Sequence, residues 1–202
     1  MTESVQIRRI GTERIRVGIE GTAPLIVHNW SEKNKLKLLH SQQGIKDPKE
    51  PRDPHAEYEA AFYRLKDGSP GFPVLGFKAA TVSAARFYGK DVRMTDLRQF
   101  LFFTGEFGSG NDQMLTRITG EPTMREDIVT IGISGTEPRY RPMFTTWATI
   151  LTVTYVKSSL SRDSVLSLID AAGFGVGVGE WRPEKSGQFG TFQVGAVEAV
   201  DG

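Results

Sequence analysis

Six glycines fall within eighteen residues near the end of the chain: Gly173, Gly175, Gly177, Gly179, Gly187 and Gly190. So dense a run fits neither a helix interior nor a strand interior, because each glycine there forfeits backbone entropy and side-chain packing. Just before it, Ser161 is placed to cap a helix in which Val165, Leu168, Ile169 and Ala172 share a face, with Gly173 as its stop. Just after it, 189–194 reads as a strand. Between two regular elements, glycines admit positive φ and let another backbone approach closely. Exposed N–H groups in such a loop can cradle a phosphate. Trp181 adds a stacking surface, and Arg182 and Lys185 add charge. The same residues also describe a plain turning connection, and glycine spacing alone leaves both open.

Alternation supplies the other elements. Ile15, Val17 and Ile19 interleave with polar neighbours as a half-buried strand, continuing through Leu25 and Val27. A polar stretch at about 29–73 reads as an insertion between this strand and the first core helix. Within it, Ser31 would cap a lysine-rich helix, and Asp53-Pro54 would start a second, with Tyr58, Ala61, Phe62 and Leu65 on one face. Between those helices, 44–54 carries three prolines and alternating charges and has little to bury. The next helix is expected at 78–88, with Ala80, Ala84 and Phe87 as its stripe. Phe100, Leu101, Phe102 and Phe103 suit a strand or a helix end equally. Val129, Ile131 and Ile133 alternate as one strand. Trp147, Leu151, Val153 and Tyr155 lie on a second, expected to pair with it, leaving 135–143 as an arm or loop. The order strand, insertion, helix, two strands, helix, strand is the split βαβ pattern. The expected fold is therefore a single α+β, ferredoxin-like (RRM-like) domain over 1–202, with one sheet face free for a ligand.

Composition restricts the function classes. Cysteine is absent, which removes disulfides and thiolate metal sites. No apolar run reaches membrane-span length and no signal core is evident, so a cytoplasmic location is expected. Lys and Arg total 25 against 24 Asp and Glu, a net charge of +1. A nucleic-acid partner must then be met by a local patch or by several subunits together. Arg139, Tyr140 and Arg141 form such a patch, a mixture of charge and aromatic surface suited to single strands, unless this is a solvated loop whose arginines pair with Glu137 or with another subunit. Trp147 lies in a strand stripe and belongs to the core, leaving Trp181 as the better stacking candidate. The histidines are His28, His40 and His55, with no i, i+4 pair, no H-E-x-x-H and no Walker sequence. Asp112, Glu126 and Asp127 are scattered acids, expected to face solvent. No metal or cofactor is called for.

The helix, the G-x-G-x-G run with its later G-x-F-G, and the following strand resemble the signature loop of the RAMP superfamily, which includes backbone and processing subunits of CRISPR effector complexes. Residues 72–80 resemble that superfamily's start of the first helix. Lys78, Ala79 and Arg86 fall at or near matching positions, while Gly76 and Phe77 replace the usual serines. The pattern is more similar still to a group of bacteriophage proteins. Those share Thr22-Ala23-Pro24-Leu25 with His28, Arg139 and Arg141-Pro142 with Phe144 and Trp147, and Gly177 with Gly179-Glu180-Trp181-Arg182-Pro183. The resemblance covers most of 15–194 and implies a non-enzymatic subunit that binds single-stranded DNA or RNA and self-assembles along it as a homo-oligomer. The residues it implicates are Lys78, Arg86, Arg139, Tyr140, Arg141, Gly175, Gly177, Gly179, Trp181, Arg182, Lys185 and Gly187. Two alternatives accompany it. One is a homo-oligomeric interaction subunit without nucleic acid. The other is an RNA endonuclease using His28, since some RNA-cleaving relatives use a histidine as general acid or base.

Overall fold

A computed structural model describes residues 7, 9–30, 32–46, 48, 51–109, 113–131 and 135–199. The elements run β1 (Thr12–Gly21), β2 (Leu25–Ile26), α1 (Glu32–Gln42), α2 (Pro54–Ala60), β3 (Tyr63–Arg64) and β4 (Pro70–Pro73). Then come α3 (Val74–Ser83), continued by a 3-10 turn over Ala84–Tyr88, α4 (Met94–Phe100), β5 (Leu101–Thr104), β6 (Glu106–Phe107) and β7 (Met114–Arg117). The chain closes with β8 (Pro122–Ile131), β9 (Gly135–Phe144), β10 (Ala148–Val156), α5 (Arg162–Gly175), a short 3-10 turn over Pro183–Lys185, and β11 (Phe192–Ala199).

The main sheet has the order β11-β1-β10-β5, and all of its neighbours are antiparallel. With α3 after β1 and α5 after β10, this is the βαββαβ unit with strand order 4-1-3-2, a ferredoxin-like fold. Alternation decides which face is covered. Ile15, Val17 and Ile19 of β1 and Leu151, Val153 and Tyr155 of β10 are all within 1% of full burial. They share one core with Phe77 and Ala80 of α3 and Val165, Leu168, Ile169 and Ala172 of α5. Burying one such aliphatic or aromatic side chain contributes ~1.5–3 kcal/mol. The opposite face stays open, with Arg14, Arg16, Phe102 and Ile150 exposed along it.

The expected fold class holds, but several elements differ from the sequence expectation. The second strand of the unit is β5, the ambiguous Phe100–Phe103 stretch, which pairs Leu101 and Phe103 with Tyr155 and Val153. The Val129 strand does not pair with the Trp147 strand. It forms a long hairpin with β9, in register from Pro122↔Phe144 to Ile131↔Gly135. The expected arm at 135–143 is therefore a strand. Pro138 and Pro142 disguised it: β9 is the middle strand of the β2-β9-β8 sheet, but β2 pairs only with its Met143 and Phe144, so Pro138 lies where β9 has a single strand neighbour, a position that tolerates proline. Ile133, placed in that strand, lies outside the described residues, as do Ser31 and Asp112. The first strand does not run on to Val27. It stops at Gly21, and β2 pairs with β9 instead. Helix α5 passes through Gly173 to Gly175, the last strand starts at Phe192, and α3 begins at Val74 rather than at Lys78. Helix α2 ends at Ala60 with Asp53 as its cap, accepting from the His55 and Ala56 amides, so the Phe62 and Leu65 positions lie beyond it. Among the described residues, no helix is long and apolar enough to cross a membrane.

Candidate nucleic-acid interface

The glycine segment is folded tightly onto its surroundings. At Gly179 φ is +77°, and a Cβ there would come within 2.5 Å of the Ile26 carbonyl oxygen. At Gly190 φ is +65°, and a Cβ would strike the Val178 carbonyl. These contacts form because most of the loop's amides already donate within the chain. Val178 N–H donates to the Gly190 carbonyl at 2.9 Å, Glu180 N–H to Ile26 at 3.0 Å, Gly190 N–H to Pro24 at 2.8 Å, and Phe189 N–H to Trp181 at 3.0 Å. An open nest of free N–H groups is therefore not what this loop presents. It is a brace that locks the end of α5 and the start of β11 against β2.

That brace sets Glu180 opposite His28. Buried Leu25 and Ile26 anchor β2, Val27 N–H donates to the Pro142 carbonyl of β9 at 2.9 Å, and Asn29 N–H donates to Ala61 at 2.8 Å. His28 is thus clamped between the hairpin and the end of α2. Its Nδ1 lies 3.5 Å from Glu180 Oε1, and the Tyr63 hydroxyl donates to its carbonyl at 3.3 Å. Glu180 Oε2 is 3.4 Å from Arg141 Nη1, and Arg141 Nη2 donates to Asp127 Oδ2 at 3.1 Å. Asp127 is held on its other side by Arg125 at 2.8 Å. The result is a continuous charged wall from β2 through the glycine loop to the hairpin. The hydrogen bond from His28, with His28, Arg141 and Arg139 as nearby charges, holds the Glu180 carboxyl below its ordinary range against the opposing effect of burial. Burial pushes the Tyr63 phenol up.

Two clefts open on either side of this wall, and His28 lines both. The smaller, about 210 Å³, lies between α3 and the glycine loop, with Phe72, Ala80, Val176 and Val178 inside and Arg182 and Glu184 at the rim. The larger, about 400 Å³, lies between the insertion's α2 and β9, and its walls include Trp30, Lys37, Arg52, Arg139, Tyr140 and Arg141. Arg141 is 97% buried by side chain and its Nε has no hydrogen-bond partner. Arg52 and Arg139 are partly neutralised. Arg52 pairs with Glu57 at 2.6 Å and Glu137 at 3.4 Å, and Arg139 pairs with Glu137 at 3.7 Å. These pairs are partly exposed, and exposed pairs are worth only ~0–1 kcal/mol each.

The residues singled out by sequence divide into groups. Gly177, Gly179 and Arg182 line the smaller cleft, and Arg139, Tyr140 and Arg141 the larger. Arg86 stands beside the smaller one, 3.5 Å from Glu184. Trp181 holds φ +56° and is 47% exposed on the same loop, above Gly187, while Lys185 sits in the 3-10 turn that follows. Gly175 ends α5, packed against the Phe87 ring. Lys78 is elsewhere: its ammonium donates to the Arg98 carbonyl and lies 5.0 Å over the Phe102 ring. Arg141 is an internal ion rather than a surface one. Trp147 is buried, as its stripe implied, and donates to the Ala23 carbonyl. Asp127 lies between two arginines, and Glu126 accepts weakly from Tyr140. Among the described residues, no group of three His, Asp or Glu could hold a metal. Sequence reasoning missed Glu180 as a partner of His28 and missed Trp30 and Arg52 as cleft walls. The Glu180 signal was present in the block shared with the phage proteins, where it stands between Gly179 and Trp181.

No family model matches the chain, and no curated protein does. Solved structures similar in shape include the following two. One is the crystal structure of Cmr6 from Pyrococcus furiosus, 10% identical with a TM-score of 0.43, covering 92% of this chain and 99% of that one. The other is a cryo-EM structure of the Type III-B Cmr-beta bound to cognate target RNA, 12% identical with a TM-score of 0.45, covering 94% of this chain and 61% of that one. A likeness at this level carries no functional weight. The strand order, the glycine brace and the two clefts are properties of this chain's own residues.

Proposed function

We propose that the protein binds single-stranded DNA or RNA along the track formed by the two clefts, and assembles with further copies along the strand. One observation carries the reading: the fold brings the glycine-loop residues and the Arg139–Arg141 segment, far apart in sequence, to opposite sides of one wall. Arg52 and Arg139 offer charge to phosphates, while Tyr140 and Trp30 offer ring faces on which bases stack. The larger cleft gathers Lys37, Arg52 and Arg139 on one wall system, with Asp53, Glu57 and Glu137 beside them. Fluorescence anisotropy with a long oligothymidylate tests it. Binding at micromolar protein is expected, falling as salt rises. Arg139→Ala should lower the slope of log K against log salt by ~0.7, and Tyr140→Ala should weaken binding by ~5-fold or more. Absence of binding by folded protein would favour the alternative of an interaction subunit without nucleic acid.

A second reading has its own observation. His28 Nδ1 faces Glu180 at 3.5 Å, which gives His28 the positioned partner that acid-base catalysis needs. In this reading His28 serves a metal-independent RNA endonuclease. Labelled RNA cut by the wild type and spared by His28→Ala would support it, and RNA left intact by both would remove it.

A further inference from the structure

We infer that the smaller cleft receives one nucleobase of the bound strand and prefers guanine, an inference that rests on the strand-binding reading above. Size comes first. At about 210 Å³ the cleft is below the ~300–1,000 Å³ of ordinary small-molecule sites, and suits a single flat ring system. Shape agrees. One wall is the α3 surface at Gly76, Ala79 and Ala80, which lacks long side chains, and the other is the loop backbone at Gly177 and Gly179, so the space between them is a slot. Part of its lining is apolar, from Phe72, Val176 and Val178, a surface that suits a base face better than a hydrated phosphate.

The rim sets the preference. Glu180 and Glu184 both line the cleft, Glu180 paired with His28 and Arg141 and Glu184 with Arg182 and Arg86, and carboxylate oxygens have further lone pairs that accept N–H donors. Arg182 is the one arginine among the lining residues, and its donors are directed to Glu184 at 3.0 Å and to the Gly179 carbonyl at 3.1 Å. The rim is therefore rich in acceptors. Guanine presents two adjacent donors on its Watson–Crick edge, N1–H and the 2-amino group, which match the two oxygens of a carboxylate. Adenine and cytosine present an amino group beside a ring acceptor, and thymine and uracil a single N–H flanked by carbonyls. The His28 wall thus separates two subsites, the arginine- and ring-lined cleft for phosphates and stacked bases and the slot for a single guanine.

The experiment compares three fluorescent oligonucleotides: plain oligothymidylate, the same strand with isolated guanines, and the same strand with hypoxanthine at those positions, which lacks the 2-amino donor. They are titrated with wild type, Ala79→Leu and Glu184→Gln. Ala79 is exposed on α3, so a leucine there blocks the mouth of the slot without entering the core. The expected result is about ten-fold tighter binding of the guanine strand than of oligothymidylate by wild type, a smaller gain with hypoxanthine, and equal binding of guanine and thymidylate strands by either variant. Equal binding of all three strands by wild type, or a guanine gain that survives Ala79→Leu, would overturn the inference while leaving strand binding intact. Failure of wild type to bind any of the strands would overturn both.

Discussion

Arg141 shows how a residue of a binding type can be used inside a fold. Its guanidinium is buried between Asp127 and Glu180, and shortening it would leave two carboxylates facing each other with less solvent than they need. Breaking a buried pair of this kind costs ~3–5 kcal/mol, and the partial exposure of Glu180 places Arg141→Ala toward the lower end. Urea denaturation measures the loss. The same wall predicts a pH dependence. Glu180 has a lowered folded-state pKa, so around the ordinary glutamate range the unfolded chain binds the proton more readily than the folded one. The stability it contributes is present above that range and is lost as pH falls through the folded value. Glu180→Gln should flatten the acid limb of the stability profile, and an unchanged limb would remove Glu180 from the account.

At the scale of elements, the glycine loop and the β8–β9 hairpin act as two halves of one device. The loop contributes close backbone approach and the hairpin contributes charge and an aromatic ring. Gly179→Ala tests the loop half. It combines a left-handed backbone with a Cβ 2.5 Å from the Ile26 carbonyl oxygen, and should cost at least ~1 kcal/mol, read as a lower melting temperature. Legibility in the sequence followed the same division. The strands β1 and β10 and helix α5 were plain, because each has one face in the core and its apolar period survives. Strand β9 was hidden by its two prolines, and β5 by an apolar run that alternation cannot resolve. The glycine segment was recognisable as a special connection. Its satisfied amides were not, since their acceptors at Pro24 and Ile26 lie about 150 residues earlier in the chain. The wall of His28, Arg141 and Glu180 was unreadable for the same reason, each residue arriving on a different element.

For the whole molecule, the strand order decides which surfaces a partner can reach. A ferredoxin-like domain offers the open sheet face, here carrying Phe102, Ile150, Arg14 and Arg16, and this chain also offers the two clefts on the wall. The clefts gather the arginines, the rings and the glycine loop, whereas the sheet face has exposed Phe102 with Lys78 above it as its aromatic feature. The choice between these surfaces is the central claim. Ultraviolet crosslinking of a 4-thiothymidine oligonucleotide, followed by mass spectrometry of the attached peptides, distinguishes them directly. Crosslinks on Tyr140 and Trp30, reduced by Arg139→Ala, are the predicted result. Crosslinks concentrated on Phe102 and the neighbouring sheet face, with Tyr140 and Trp30 unmarked, would contradict it.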